Sequence, residues 1–351
     1  MPRRTLVSLL ELEPNPWRWS VGIHTACAIF FTSLFWWFLG RKEYGFIASM
    51  GAFSAFYGTT LHRIDRCKLL LWISAGMLAA SAMGSAFAGH PVLQYAMVFL
   101  VVVISSLLTL GFSVGPPGPM MFALVAAASA YLATPRALGG PGRSTGEILV
   151  LLASGMAVAW LTVAVPLLFP SQRKREGPPL PLKELLPFSV DREVRVQTIR
   201  LAVGVLIGML LFQPLEVYRP QWLIITILGV LQAGSGRYLT TVRAIQRVLG
   251  TILGLGLYKA ITLFSLSWLE LIVVISLLQG LSKVVIVRNY GLGLFFITPL
   301  VLIIYTASLG GDPAETMHGR VHDTVIGAVI AMAVLLGSEL VASVMQKSSR
   351  S

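Results

Sequence analysis

The sequence predicts an all-α polytopic membrane protein of about twelve transmembrane helices, arranged as two parallel six-helix repeats. Three observations predict this fold: the composition, the spacing of apolar runs and an internal repeat. Hydrophobic residues make up 56% of the 351-residue chain, charged residues 12%, and the mean hydropathy is +0.79. Since about 25% of the residues of a soluble domain are charged, the composition excludes an ordinary soluble protein.

Apolar runs set the predicted spans, because a transmembrane helix needs about 20 apolar residues. Both sides of a polar, proline-rich stretch offer six such runs, which gives an N-terminal membrane repeat (1–169), a cytoplasmic linker (170–195) and a C-terminal membrane repeat (196–351). The predicted spans are Ser20–Leu39, Tyr44–Thr59, Leu69–Ala88, Val92–Phe112, Pro117–Ala133, Glu147–Phe169, Val196–Phe212, Gln221–Gly236, Val248–Phe264, Trp268–Ser282, Tyr290–Leu309 and His322–Met345.

An internal repeat relates the two halves. Residues 52–66, AFSAFYGTTLHRIDR, and residues 233–247, AGSGRYLTTVRAIQR, are identical at seven of fifteen positions without a gap. An even number of spans separates the copies, so both cross the membrane in the same direction and the repeat is parallel. Small residues four apart, such as Gly250 and Gly254, predict close helix contacts in both halves.

The distribution of basic residues predicts the orientation. With the N-terminus inside, 20 lysines and arginines fall on the cytoplasmic side and 6 outside, with Lys259 left in a span. Cytoplasmic loops of membrane proteins carry such an excess, so we expect both termini in the cytoplasm and an uncleaved first span in a bacterial inner membrane. The net charge of +12 then reflects topology and not a nucleic-acid partner.

Several motifs resemble the fusaric acid resistance (FUSC) superfamily. In the second half these are QWLIITILGVLQAGSGRYLTTVRAIQRVLGTILG, NYGLGLFFITPLVLIIYT and HGRVHDTVIGAVIAM; in the first half FYGTTLHRIDR and GPPGPMMF match more loosely. That superfamily includes aromatic acid exporters and is related to plant malate-permeable anion channels. The resemblance implies efflux of aromatic or other organic carboxylates driven by the proton motive force. Numerous relatives carry a large soluble domain between the halves, where this chain has only the short linker.

The second and eighth spans are the shortest and most polar-ended of their halves. Paired interrupted spans in corresponding positions are typical of a transporter's binding site. We therefore expect their ends to line a cavity, or alternatively to lie at the membrane interface. The candidate residues are Tyr57, Thr59, Thr60, Gln232, Ser235, Tyr238, Thr240 and Thr241.

Two arginines, Arg66 and Arg247, match across the repeat and are the better candidates for a cationic mouth that attracts carboxylates, because arginine binds them bidentately. The alternative is the ordinary positive-inside signal. The loop GPPGP, with Gly115 and Pro116, predicts a helix that starts near Pro119 and offers its N-terminus to an anion; a rigid loop is the alternative. Its counterpart in the second half contributes Asn289 and Tyr290.

Acidic residues inside spans are costly and are therefore candidates for proton coupling. Asp323, Glu339 and Glu270 are such candidates, with structural ion pairing as the alternative role. No histidine and cysteine spacing suits a metal, and no nucleophile and base arrangement emerges. We therefore expect no cofactor, no metal and no enzymatic activity.

These observations favour a secondary transporter that exports small organic carboxylates, and the resemblance implies that these are aromatic. An anion channel and a non-transporting membrane scaffold are the alternatives. The expected partners are a small organic anion and the lipid bilayer, without nucleic acid. The sequence leaves open whether the protein forms a homo-oligomer and whether it needs accessory efflux proteins.

Overall fold

The computed structural model describes residues 9, 11–15, 17–173, 178–215, 217, 219–232, 236–310 and 312–348. Within them the fold is all-α, with twelve helices of 11 residues or more. These helices are α1 (Trp19–Phe38), α2 (Lys42–Ala52), α3 (Arg63–Ser85), α4 (Pro91–Gly111), α5 (Met120–Ala133), α6 (Thr145–Ala164), α7 (Arg192–Leu211), α8 (Pro220–Leu231), α9 (Arg237–Thr262), α10 (Trp268–Val285), α11 (Tyr290–Leu309) and α12 (Pro313–Ser348).

Each predicted span overlaps a helix, but α2 ends at Ala52 and α8 at Leu231, before the predicted ends at Thr59 and Gly236. The helices also differ in their capacity to cross a membrane. In the described part of the chain, eight are long and apolar enough: α1, α3, α4, α6, α7, α10, α11 and α12. Helices α5 and α8 are apolar but shorter, with 14 and 12 residues. Helix α2 has 11 residues, and α9 is long but carries several charges. The twelve crossings therefore stay a prediction.

Three helices begin at least six residues earlier than the predicted spans do. Helix α3 begins at Arg63 and α9 at Arg237, so the arginines of both repeat copies lie within helices and not in the predicted loops. Arginine is a good helix former, and hydropathy alone does not detect its helical preference. Helix α12 begins at Pro313, where the proline suits the first turn and Asp312 accepts a hydrogen bond from the Glu315 N–H at 2.8 Å.

Helices from the two halves pack in matched pairs. Helix α1 packs against α10 and α7 packs against α4, while α2 packs against α11 and α8 against α5. Helices six apart in number occupy corresponding positions in the two halves. The contact of α1 with α10 therefore corresponds to that of α7 with α4, and the contact of α2 with α11 corresponds to that of α8 with α5. Two related six-helix halves would pack in this way, although the duplication itself stays a prediction.

Glycines bring helix backbones into direct contact, as their spacing predicts. A side chain at Gly84 in α3 would run into the carbonyl oxygen of Ala126 in α5. A side chain at Gly250 in α9 would likewise run into the carbonyl oxygen of Gly291 in α11. The close-packing prediction for both helices is confirmed, and it explains how helices associate where lipid provides little hydrophobic drive.

The two contacts between α1 and α10 and between α4 and α7 differ in their lining. At the first, a Cβ on Gly22 would lie 2.8 Å from the carbonyl oxygen of Gly280, so the backbones touch. At the second, the ring of Tyr95 packs against that of Phe212, the residue that follows α7, at a centroid distance of 4.9 Å and an angle of 51°. The contact between α1 and α10 thus includes backbone atoms of both helices, whereas the contact between α4 and α7 includes aromatic side chains.

The linker lies against the membrane helices. The Leu180 N–H donates to the buried Asp65 carboxylate at 3.0 Å, and the Ser189 N–H donates to the Gly111 carbonyl at 2.9 Å. Asp65 also accepts from Lys68 at 3.3 Å. The linker thus docks on α3 and on the end of α4.

Replacement of Gly250 by alanine should destabilise the protein, because the α9 and α11 backbones must separate. We expect a loss of about 1–3 kcal/mol, the usual cost of overpacking. The matched control is Gly256→Ala in the same helix, where a new side chain meets open space. It should be neutral or stabilising by up to about 1 kcal/mol. Thermal unfolding of the detergent-purified proteins measures both; equal melting temperatures would contradict the contact.

Candidate functional site

Helix α2 stops inside the bundle. It continues into a 3₁₀ turn, Phe53–Phe56, and the chain then becomes extended at Tyr57. The Tyr57 side chain is fully buried, and its hydroxyl donates to the carbonyl of Gly118 at 2.6 Å. Gly118 belongs to the GPPGP loop before α5, so the end of α2 is fixed to the start of α5. Helix α5 begins at Met120, as predicted from the prolines.

Arg66 closes this helix end. Its Nε donates to the carbonyl of Tyr57 at 3.1 Å, and its Nη2 donates to the carbonyl of Ala55 at 2.6 Å. The last carbonyls of a helix lack partners within the helix and carry partial negative charge. The buried Arg66 therefore supplies the hydrogen bonds that this interruption requires, and it does not lie on the exposed rim that we expected for a cationic mouth.

Arg247, its counterpart in the repeat, has different partners. Its Nη1 donates to the Tyr290 hydroxyl at 2.9 Å and its Nη2 to the Thr226 hydroxyl at 3.2 Å, while its Nε has no hydrogen-bond partner in the described structure. The guanidinium lies beside Gly229 of α8, where a Cβ would come within 3.3 Å of Nη1. Arg247 thus joins α9 to α8 and α11 through side chains, and it is also buried.

The end of α8 lies near the same loop. The Gln232 side chain borders Gly118, its Oε1 lying 3.5 Å from the position of a Cβ there, and its Nε2 is buried without a hydrogen-bond partner in the described structure. Met120 at the start of α5 borders Gly229. The structure therefore brings Tyr57, Gln232, Arg247 and Tyr290 into one central region, where the ends of α2 and α8 approach the starts of α5 and α11.

The other candidates lie outside this region or have structural partners. Thr60, Gly115 and Pro116 are exposed, and Tyr238 is 49% exposed on the first turn of α9. Thr59 accepts from Arg18 at 3.4 Å. Thr240 and Thr241 donate to the carbonyls of Gly236 and Arg237, one turn earlier. Asn289 caps α11 and donates to the carbonyls of Leu9 and Glu11. Ser235 lies outside the described residues.

The three acidic candidates differ in their surroundings. Asp323 is fully buried, and its Oδ2 accepts from the Arg219 N–H at 2.7 Å, just before α8 begins. Glu339 faces Arg237 at 4.0 Å, and Glu270 forms a capping box with Ser267 at the exposed start of α10. Of the three, Asp323 alone is deeply buried, and within the described residues no group of potential ligands could hold a metal ion.

Sequence reasoning missed a group of aromatic residues and arginines on the predicted outer side. The Arg320 guanidinium lies 5.2 Å from the ring centroid of Trp222, and Trp222 packs edge-to-face against Tyr305 at 5.5 Å. The Arg219 guanidinium lies over the rings of Tyr305 and Tyr131, at 4.9 and 5.6 Å. Arg320 was assigned to a loop because the apolar run starts at His322; the Asp312–Pro313 helix start would have placed it inside α12.

A surface cavity of about 580 Å³ opens beside this group. It lies among the first turn of α2, the loop between α5 and α6 and the first turn of α6, which are predicted to face outward. Tyr131 lines the cavity, and its hydroxyl lies 3.4 Å from that of Tyr305. The two tyrosines therefore lie between the cavity and Trp222. The other lining residues are Glu43, Tyr44, Arg136, Gly139, Gly140, Pro141, Gly142, Arg143, Glu147 and Ser308.

Residues 197–334 match a family model described as fusaric acid resistance protein-like. The match runs from α7 into α12 and contains Arg247, Trp222, Arg320 and Asp323. The match suggests a membrane protein related to efflux transporters. Comparison with curated proteins and with solved structures gave no match.

Replacement of Tyr57 by phenylalanine should destabilise the protein, because it leaves the buried Gly118 carbonyl without its donor. The expected cost is about 1–3 kcal/mol. Its repeat counterpart, Tyr238→Phe, is the matched control; at a half-exposed position, where water can replace a lost hydrogen-bond partner, it should change stability by less than about 0.5 kcal/mol. Urea or thermal unfolding in detergent compares the two variants. A Tyr238→Phe effect as large as that of Tyr57→Phe would contradict the assigned role.

Proposed function

We propose that this protein is a secondary transporter that exports small organic carboxylates, chiefly aromatic ones. One observation carries the proposal: α2 and α8 both stop inside the bundle, each near the start of another helix, with buried arginines beside them. Interrupted helices are typical of transporter binding sites, because irregular backbone at membrane depth is tolerated only within protein or along a cavity. The family match to an efflux-related domain supports the same class.

The proposed architecture is two parallel six-helix repeats with twelve crossings and both termini in the cytoplasm of a bacterium. The matched packing of α1 on α10 and α7 on α4 supports two related halves. The proposed path begins on the cytoplasmic side near Gln232, passes Arg247 and the aromatic group around Trp222, and leaves through the outer cavity. Asp323 is the acidic residue that we retain for proton coupling, because it is buried along this path.

The transport proposal predicts carboxylate flux through purified protein. Proteoliposomes should move radiolabelled 4-hydroxybenzoate at pH 8 well above protein-free liposomes, and a pH gradient should accelerate this flux. Arg247→Ala should reduce the flux about tenfold or more, as expected for loss of a charge-assisted contact. The matched control is Arg237→Ala, ten residues earlier on α9, whose side chain is 67% exposed; it should change flux less than twofold.

The outcomes separate the competing functions. Anion current that persists without a pH gradient, and that Asp323→Asn leaves unchanged, would identify a channel, since buried cationic groups serve a pore equally well. Absence of flux for every carboxylate in correctly inserted protein would indicate a scaffold. Equal flux in Arg247→Ala and the wild type would exclude the arginine from the path.

The topology proposal predicts the side from which single cysteines react. With Cys27 and Cys67 replaced by serine, Leu138→Cys between α5 and α6 should react with a membrane-impermeant maleimide on intact cells. Arg173→Cys in the linker should react only after lysis. Both positions are exposed in the structure, so accessibility does not limit the reaction. The reverse pattern would invert the orientation and make the proposed export an import.

A further inference from the structure

Three helices of the second half converge on a buried group of arginines and threonines. Arg320 and Gly327 lie seven residues apart on one face of α12, and Trp222 and Thr226 lie four apart on one face of α8. Arg320 lies over Trp222 at 5.2 Å, and Gly327 approaches Thr226, where a Cβ would come within 2.8 Å of Thr226 Cβ. Since Thr226 accepts from Arg247 of α9, these contacts connect α8, α9 and α12.

This group contains buried polar atoms without partners. Arg320 is only 2% exposed, yet its Nε and Nη1 have no hydrogen-bond partner in the described structure. The Nε of Arg247 has none either. Thr251 and Thr324 each follow one of these arginines by four residues, on the same helix face, and both hydroxyls are buried and unpartnered. Most buried polar groups in folded proteins are paired, so four such residues together indicate an absent partner.

The charges in this group do not balance. Among the described residues, Arg247 and Asp323 are the charged groups that act electrostatically on Arg320. The His322 Nδ1 lies 3.3 Å from Asp323 Oδ1. Apart from His322, which is charged only if protonated, these two guanidinium groups and one carboxylate leave one positive charge. An uncompensated charge inside a membrane protein is expensive. A ligand with one negative charge would neutralise the group, whereas a dianion would leave an excess negative charge.

The corresponding arginine of the first half offers no such site. Arg66 uses its Nε and Nη2 for the carbonyls of Tyr57 and Ala55. The Arg66 guanidinium thus binds the end of α2 through these two hydrogen bonds. Arg66 is therefore not available to a ligand in the way that Arg247 is.

We infer that Arg320 and Arg247 form a buried site for one monocarboxylate, whose organic part lies against Trp222. Guanidinium groups donate charge-assisted hydrogen bonds to carboxylates, and the hydroxyls of Thr251 and Thr324 are additional donors. The rings of Trp222 and Tyr305 supply an apolar wall for the rest of the molecule. This inference deepens the proposed function and rests on it, because it assigns the exported carboxylate a binding site.

Thermal unfolding of the detergent-purified chain with sodium benzoate tests the site. Benzoate should stabilise the wild type, since a ligand that binds only the folded state raises its stability. Arg320→Gln should weaken benzoate binding about tenfold or more, and Thr324→Val should weaken it several-fold. Without ligand, Arg320→Gln should melt at a higher temperature than the wild type, because it removes an uncompensated buried charge. A purely structural arginine would give the opposite shift.

Arg200→Gln is the matched control. Arg200 is a buried arginine of α7 that also has an unpartnered Nε in the described structure, but it donates to Gln197, which in turn donates to the carbonyl of Leu231 at the opposite end of α8 from Trp222. Its replacement should leave benzoate binding unchanged. Phthalate, a dianion, should stabilise the wild type less than benzoate at equal concentration.

Four results would overturn the site. These are unchanged benzoate binding in Arg320→Gln, failure of Arg320→Gln to fold, stronger stabilisation by phthalate than by benzoate, and equal stabilisation by chloride. Continued 4-hydroxybenzoate flux in the first case would overturn the site alone and leave the transporter intact. Absence of both flux and benzoate binding in the wild type would overturn the transporter and the site together.

Discussion

The interruption of α2 is the feature on which the centre of this protein depends. A helix that stops inside a membrane protein leaves carbonyl groups that neither lipid nor the helix can satisfy. Arg66 donates to two carbonyls at this end, and Tyr57 ties the following residue to the loop before α5. These bonds allow α5 to begin deep in the bundle, beside the ends of both interrupted helices.

The two repeat-related arginines show how one motif can serve two purposes. Arg66 satisfies backbone groups, whereas Arg247 contacts hydroxyl side chains and retains an unpartnered nitrogen. The difference follows from the local chain, because α3 begins six residues after Tyr57, while α9 already includes Tyr238. Arg66 and Arg247 therefore share a side chain and a place in the repeat but not an environment. Of the two, Arg247 in the second half is the arginine that could still bind a ligand.

Much of the fold could be predicted from the sequence, and the centre only in part. Apolar length located all twelve helices, and glycine spacing predicted the backbone contacts of α3 and α9. Hydropathy could not reveal that Arg63 and Arg237 start helices, because it measures burial in lipid and not helical propensity. Arg320 and Trp222 were missed because their proximity depends on how α8 and α12 pack, which no local pattern encodes.

The two junctions between the halves differ mechanically. Helices α1 and α10 touch through the backbones at Gly22 and Gly280, and backbone atoms cannot change rotamer. Helices α4 and α7 meet through Tyr95 and Phe212, whose rings can repack when the helices slide. If the halves rotate relative to each other, the contact between α1 and α10 would be the hinge. The halves would then separate at the contact between α4 and α7.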